Sequence, residues 1–165
     1  YMERVTKIIS NELYKKSQLA IENLEKERKF CNHDFNHYID TARIAYIISL
    51  EEGYNVDKEI IYATALLHDI GRVDEYTLGI SHDIASAEKA KIILKQCFFE
   101  DNEIEIIYEA IKDHRGYKNI KSKEKEMTLS ELLYRADKLS RCCYNCDAYL
   151  ECKWDDEIKN NNIKY

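Results

Sequence analysis

The 165-residue chain contains no proline and only four glycines, Gly53, Gly71, Gly79 and Gly116. Proline and glycine are the residues that punctuate a chain into hairpins and tight turns. A sequence so poor in both has few places to reverse sharply, and it reads as helices joined by short links. Each glycine falls where apolar periodicity breaks, as expected where glycine ends a helix or permits a positive φ in a loop. The expected fold class is all-α, a compact helical bundle.

Apolar spacing places the helices. Val5, Ile8, Ile9, Leu13, Ala20, Ile21 and Leu24 predict a first helix over about 3–29. A second, over about 34–52, turns Ile39, Ala42, Ala45, Tyr46 and Ile48 inward. A third starts near Asp57 and runs through Ile60, Ile61, Ala63, Ala65, Leu66 and Leu67 to His68. It is apolar almost all round, which predicts the central, most buried helix. A fourth spans about 82–98, and a fifth runs from Asn102, with Glu105 as a capping-box partner, to near Asp113. Thr128 and Glu131 form a second such box, opening a helix that reaches Asp137. The lysine-rich stretch from Lys118 to Glu126 reads as an exposed loop. With no repeat or linker, residues 1–165 are expected to form one domain, its core over about 30–141 and a cysteine-rich segment over 142–165.

Charge narrows the partners. Lysine and arginine number 25 against 31 acidic residues, a net charge of −6. Such a chain lacks the broad basic face that grips a nucleic-acid polymer. A few local cations suffice for a small phosphorylated ligand. No apolar run approaches the length of a membrane span and no signal peptide is evident, so a cytoplasmic protein is expected. In that compartment the six cysteines, Cys31, Cys97, Cys142, Cys143, Cys146 and Cys152, read first as reduced thiols or metal ligands.

The chemistry concentrates on five histidines. His37 lies in the second helix, between Phe35 and Ile39, with His33 one turn before it. His68 and Asp69 close the apolar helix in Ala-Leu-Leu-His-Asp-Ile-Gly-Arg. His82 opens the fourth helix, His114 ends the fifth in Ile-Lys-Asp-His-Arg-Gly, and Asp137 sits in Arg-Ala-Asp-Lys-Leu-Ser-Arg. Imidazole nitrogens and carboxylate oxygens together suit a divalent transition metal such as iron, manganese, zinc, nickel or cobalt. Ligands from separate helices can surround an ion in a bundle interior and leave positions open for water and substrate. Asp69, at a helix end, can swing beside His68, and its two oxygens could bridge two ions. An aspartate buried beside so apolar a helix costs several kcal/mol unless a cation or hydrogen bonds offset it.

The order His37, His68-Asp69, Asp137 resembles the HD superfamily of metal-dependent phosphohydrolases, over roughly His33 to Arg141. His33-Asp34-Phe-Asn-His37 is similar to that family's opening helix, and Ala136-Asp137-Lys138-Leu139 to its last motif. The resemblance implies that His37, His68, Asp69 and Asp137 bind one metal. Members with two metals insert two further histidines, and His82 and His114 occupy that interval. This arrangement resembles the dinuclear branch that includes symmetrical diadenosine tetraphosphate hydrolases, although the cysteine-rich end is not part of that branch. The implied activity is attack of activated hydroxide on phosphorus in a phosphate ester or anhydride, with a nucleotide the expected substrate. Asp69 would act at the metal, and His33 as a general acid or donor to substrate. Arg72, Lys138 and Arg141 are candidate phosphate clamps. Two rival readings keep the fold: a regulatory module that binds a nucleotide without turnover, and a di-iron, oxygenase-like enzyme.

The terminal cysteines are ambiguous. Cys142, Cys143, Cys146 and Cys152 fall within eleven residues, with Cys142 and Cys146 four apart on an expected helix. Four thiols can hold zinc or an iron–sulfur cluster. Only Cys143 and Cys146 show a Cys-x-x-Cys spacing, however, and cysteine also packs as a small apolar residue. Tyr144, Tyr149 and Trp154 are expected to pack this terminus or to stack a base near the pocket.

Overall fold

The computed structural model describes residues 1–115 and 127–165. The loop expected from Lys118 to Glu126, and Gly116, lie outside them. The described residues form eight α-helices and no strand: α1 (Glu3–Ser10), α2 (Glu12–Leu24), α3 (Phe35–Glu51), α4 (Lys58–Leu67), α5 (Arg72–Leu78), α6 (His82–Gln96), α7 (Asp101–Asp113) and α8 (Leu129–Leu139). None of these helices is long and apolar enough to cross a membrane.

The centre is α4, as its all-round apolar character predicts. Every residue from Ile60 to Leu67 is buried, and the helix packs against α1, α3, α6, α7 and α8. Its neighbours carry the expected stripes: Tyr38, Ala42, Ala45 and Ile48 on α3, Ile93 and Leu94 on α6, Ile107 and Ile111 on α7, and Leu132 and Ala136 on α8 all join one buried cluster. A helix wrapped on all sides can end only at the bundle's interior edge, and there it delivers His68 and Asp69.

Three details differ from the sequence reading. The first helix is two, because Asn11 leaves the helical region (φ −68°, ψ 135°) and caps α2 with its side chain, accepting from the Leu13 and Tyr14 amides. Its amide also reaches Gln96 at 2.7 Å on α6. The cap of α7 sits two residues earlier than expected: Glu103 accepts the Glu100 amide at 2.8 Å while also pairing with Arg4. Helix α5 has no counterpart in the reading, since none of its seven residues is buried and no apolar stripe marks it. Gly79 ends it at φ +70°, the left-handed cap that glycine adopts without a steric penalty.

Gly71 serves close approach rather than positive φ. A Cβ there would lie 2.3 Å from the Ser86 nitrogen and 2.6 Å from the His82 carbonyl oxygen, both backbone atoms of α6. The Gly71 amide donates to Ser86 Oγ at 2.8 Å. The turn after Asp69 is thus pressed onto the first turn of α6, which fixes His82 relative to Asp69. Gly71→Ala is expected to destabilise the fold by about 1–3 kcal/mol through this overlap, read as a lowered midpoint in denaturant unfolding. An unchanged midpoint would contradict the close approach.

Beyond α8 the chain runs through two short 3-10 turns, Cys143–Asn145 and Tyr149–Glu151. The helix expected to carry Cys142 and Cys146 is therefore absent from this segment. Asn160 returns to α8 and donates to the carbonyls of Lys138 and Arg141, each at 2.7 Å. These bonds tie the terminal segment to the C-terminal end of α8.

Candidate metal centre

All five histidines of the chain converge on one carboxylate. His33, His37 and His68 place Nε2 at 3.6, 3.9 and 3.3 Å from Asp69 Oδ2. His82 and His114 place theirs at 3.3 and 4.0 Å from the other oxygen, Oδ1. Asp137 joins the first set, its Oδ1 lying 3.3 Å from His37 Nε2 and 3.8 Å from His68 Nε2. The ligand atoms fall into two groups, each mutually within 4.8 Å: His37, His68, Asp69 and Asp137, and then Asp69, His82 and His114. Asp69 belongs to both, one oxygen facing each.

The outward nitrogens explain why the inward ones are available. His68 Nδ1 meets the Ala65 carbonyl at 2.7 Å, and His114 Nδ1 meets that of Ile111. His82 Nδ1 meets Glu75 Oε2 at 2.8 Å and His33 Nδ1 meets Glu25 Oε1 at 2.7 Å. Carbonyl and carboxylate oxygens only accept, so each Nδ1 carries the hydrogen. Ser140 gives its proton to the Asp137 carbonyl and so accepts from His37 Nδ1 at 3.1 Å. In each neutral ring Nε2 is then the lone-pair nitrogen, turned toward Asp69. Orienting partners of this kind set the tautomer and basicity of metal-binding histidines.

The donor set fits a divalent cation. His68 Nε2 and Asp69 Oδ1 are buried with no hydrogen-bond partner among the described residues, a costly arrangement for polar atoms unless an ion is ligated there. Charge tells the same story. Burial opposes a proton on His68, yet Asp69 and Asp137 outweigh it and raise its pKa to about 9. Burial alone would raise Asp69 and Asp137, but His68 and Arg72 beside the first, and His37, His68 and Lys138 beside the second, hold both well below the carboxylate range. At His37 and His114 burial prevails over the pull of Asp137 and Asp69, helped by the positive charge of His68 and, at His37, of Arg141, and lowers both to about 4. The pocket therefore draws positive charge to its centre.

A proton and a divalent ion compete for His68. Loading Mn2+ at pH 7 is expected to release about one proton per chain, because the ligating nitrogen must be neutral. Titration calorimetry in buffers of different ionisation enthalpy reads this directly, and identical heats in all buffers would refute it. The metal-free protein carries the matching signature. His68 is raised from 6.5 to about 9, so its contribution to stability is complete below 6.5 and lost as pH climbs through 9.

The other expected site residues divide between two sides. Arg72 Nε lies 3.2 Å from Asp69 Oδ2, and Lys138 Nζ 2.8 Å from Asp137 Oδ2. Both line a cavity of about 690 Å³ that opens on Asp69, His82, His114 and Asp137. Arg141 lines a smaller, separate cavity, donating to His37 Nε2 at 3.2 Å, to the Asn32 carbonyl at 3.2 Å and to Asp137 Oδ1 at 3.4 Å. His33 is tied to Glu25, which also accepts from Tyr76 at 2.5 Å. Burial lowers the His33 pKa against the pull of Glu25, so its neutral ring suits accepting a proton better than donating one.

The larger cavity also contains residues that sequence reasoning did not assign to substrate: Arg115, Lys153, Tyr134 and Glu75. Arg115 follows His114 directly, a signal that was available. Lys153 and Trp154 arrive from the terminal segment, and Lys138 Nζ lies 5.8 Å from the Trp154 ring and 5.6 Å from that of Tyr134. Of the three terminal aromatics, Trp154 is the one brought to this cavity. Tyr149 instead bonds Asn161 at 2.8 Å, and Tyr144 bonds the Cys142 sulfur.

Comparison with known proteins agrees with this architecture. The HD domain family model matches residues 34–142, which spans the ligands from His37 to Asp137. An uncharacterized protein of Clostridium beijerinckii is 43% identical over 164 residues, covering 99% of this chain and all of that one. Ribonuclease Y of Mycoplasma mycoides is 33% identical over 104 residues, which are 63% of this chain but only 18% of the ribonuclease. Among solved structures, a predicted HD superfamily hydrolase from an uncultured Thermotogales bacterium superposes with a TM-score of 0.64 at 22% identity, over 90% of this chain and 79% of that one.

Proposed function

The chain belongs to the HD domain family, and from that premise we propose that it is a metal-dependent phosphohydrolase acting on a phosphate ester or anhydride of a nucleotide. The observation that carries this reading is the convergence of five imidazole Nε2 atoms on the two oxygens of Asp69. His37, His68, Asp69 and Asp137 would hold one divalent ion, and His82 and His114, sharing Asp69, a second. An ion bound there would supply Lewis acidity, bringing the pKa of water from about 15.7 to about 7 and neutralising phosphoryl charge.

The residues around that centre have separate tasks. Arg72, Arg115, Lys138 and Lys153 on the cavity wall suit phosphoryl oxygens, to which guanidinium and ammonium groups donate charge-assisted hydrogen bonds. Arg72 and Lys138 now pair with Asp69 and Asp137, so a cation at those carboxylates would free them for substrate. Trp154 and Tyr134 offer ring faces to a base. His33, polarised by Glu25, is placed to accept a proton from attacking water. Arg141 bears on His37 and Asp137 and is better read as positioning them than as a phosphate clamp.

A second substrate class, a phosphodiester in RNA, is favoured by the similarity to ribonuclease Y. The net charge of −6 weighs against a long polymer and toward a small nucleotide. The test is to incubate manganese-loaded protein with mononucleotides, dinucleoside polyphosphates and a short oligoribonucleotide, with and without oxygen. Oxygen-independent release of phosphate or a shortened nucleotide supports the proposal. Cleavage of the oligoribonucleotide alone would favour the second class. Binding without product would leave a regulatory module, and turnover that stops without oxygen would indicate oxygenase chemistry.

A further inference from the structure

We propose that Cys31, Cys143, Cys146 and Cys152 form a separate, sulfur-ligated zinc site that fastens the terminal segment to the link between α2 and α3. Three of these residues sit in the segment after α8, and Cys31 comes from a link more than a hundred positions earlier. The fold nevertheless brings Cys31, Cys143 and Cys146 to the wall of one cavity of about 470 Å³. Cys31 is exposed, yet partial desolvation raises its thiol pKa against the pull of Arg141, and the neighbouring thiols Cys143, Cys152 and Cys146 add to the rise. No disulfide engages any of them.

The remaining cysteines are set apart by their contacts. Cys142 lines the same cavity, but its sulfur lies 3.8 Å from the Ser140 carbonyl and takes the Tyr144 hydroxyl at 3.4 Å. Cys97 is packed in the apolar core. Of the four that remain, Cys143 opens a 3-10 turn closed by the Cys146 amide on the Cys143 carbonyl at 3.3 Å, which gives a Cys-x-x-Cys pair, and Cys152 follows the next turn. Cys31 is held at φ 36°, an uncommon conformation for a residue with a side chain.

Four thiolates make a closed, tetrahedral structural zinc site, and soft sulfur ligands select zinc over manganese or magnesium. Binding would send the four thiol protons to solvent and leave a net charge of −2 around the ion. Lys29 and Arg141 line the same cavity and would offset that charge. Among the described residues only the imidazole and carboxylate groups lie mutually within 4.8 Å, so zinc would draw the sulfurs inward. Short turns rather than a helix carry three of them, and such turns can adjust. The consequence reaches the larger cavity, because Cys152 directly precedes Lys153 and Trp154 on its wall. Zinc at the thiols would fix that wall.

Cobalt(II) titration of the reduced, full-length protein tests this, because thiolate ligation gives an intense near-ultraviolet charge-transfer band that imidazole and carboxylate ligation does not. The band is expected in the wild type and in Asp69→Asn, and unchanged in Cys142→Ser and Cys97→Ser. It should weaken in Cys31→Ser and Cys152→Ser, and vanish in the Cys143→Ser, Cys146→Ser double variant. As a check that needs no variant, zinc should protect Cys31 from alkylation in the wild type, as followed by peptide mass spectrometry. The proposal is overturned by a folded wild type without the band, by a band untouched in Cys31→Ser, by unprotected Cys31, or by an iron–sulfur chromophore in anaerobically purified protein.

Discussion

Asp69→Asn is expected to lower kcat by about 10³-fold or more, the largest loss any single replacement should cause. Asp69 is the one residue common to both ligand groups, and its oxygens face opposite sets of imidazoles. An amide keeps the shape but presents one neutral oxygen and an NH2 that repels a cation. Several kcal/mol of charge stabilisation would go with the ion, and about 1.4 kcal/mol corresponds to each tenfold in rate. Folding should survive. The metal-free wild type buries an ionised carboxylate at 2% exposure, whereas the variant buries a neutral amide, and the freed Arg72 side chain lies at a cavity edge from which it can reach solvent. The predicted pattern is a melting temperature lowered without metal, because His68 and Arg72 lose the charge they pair with, and no rise on adding Mn2+, where the wild type should gain stability by mass action. Residual activity within tenfold of wild type would show that Asp69 is not at the chemistry.

Replacing His82 and His114 together by alanine is the second large effect, and it separates a one-ion from a two-ion centre. Both rings face Asp69 Oδ1 and neither belongs to the group around Asp137. If each group holds an ion, manganese should fall from two per chain to one while the ion at His37, His68 and Asp137 stays. The rate should drop by about 10²-fold, some 3 kcal/mol, since one source of charge neutralisation remains. Glu75→Gln is the milder companion: it loosens only the orienting bond to His82 Nδ1 and should cost about 10–100-fold in affinity for that ion. Unchanged manganese stoichiometry in the double variant would mean that the two histidines line the pocket around a single ion.

These positions could be read from the chain because the pattern that marks them is local. An apolar helix ending in His-Asp, and histidines at the starts or ends of other helices, survive as spacing in the sequence. The buried run from Ile60 to Leu67 announced the central helix for the same reason: burial on all sides leaves no polar stripe. Where the determining contact is distant, the reading failed. The break at Asn11 is invisible in a stripe that runs from Val5 to Leu24 on both sides of it, because what marks it is a cap and a bond to Gln96. Helix α5 buries nothing and so leaves no apolar signature. Gly71 looked like a helix terminator, but the backbone of α6 behind it is what excludes a side chain.

The cavity walls show the same limit. Lys138 and Arg141 are three residues apart on or just past α8, so either could have been assigned to phosphate. Only the rotation of that helix sends one to the larger cavity and the other to Asn32 and His37. Lys153, Trp154 and Cys31 acquire their neighbours only when the terminal segment folds back, and no periodicity encodes that return.

The account stands on imidazoles and carboxylates gathered to hold a cation, and anomalous diffraction from crystals soaked in Mn2+ tests this most directly, since manganese prefers nitrogen and oxygen to thiolate. The predicted map has one peak among His37, His68, Asp69 and Asp137 and another among Asp69, His82 and His114. A fully soaked crystal with ordered side chains and no peak at Asp69 would contradict it.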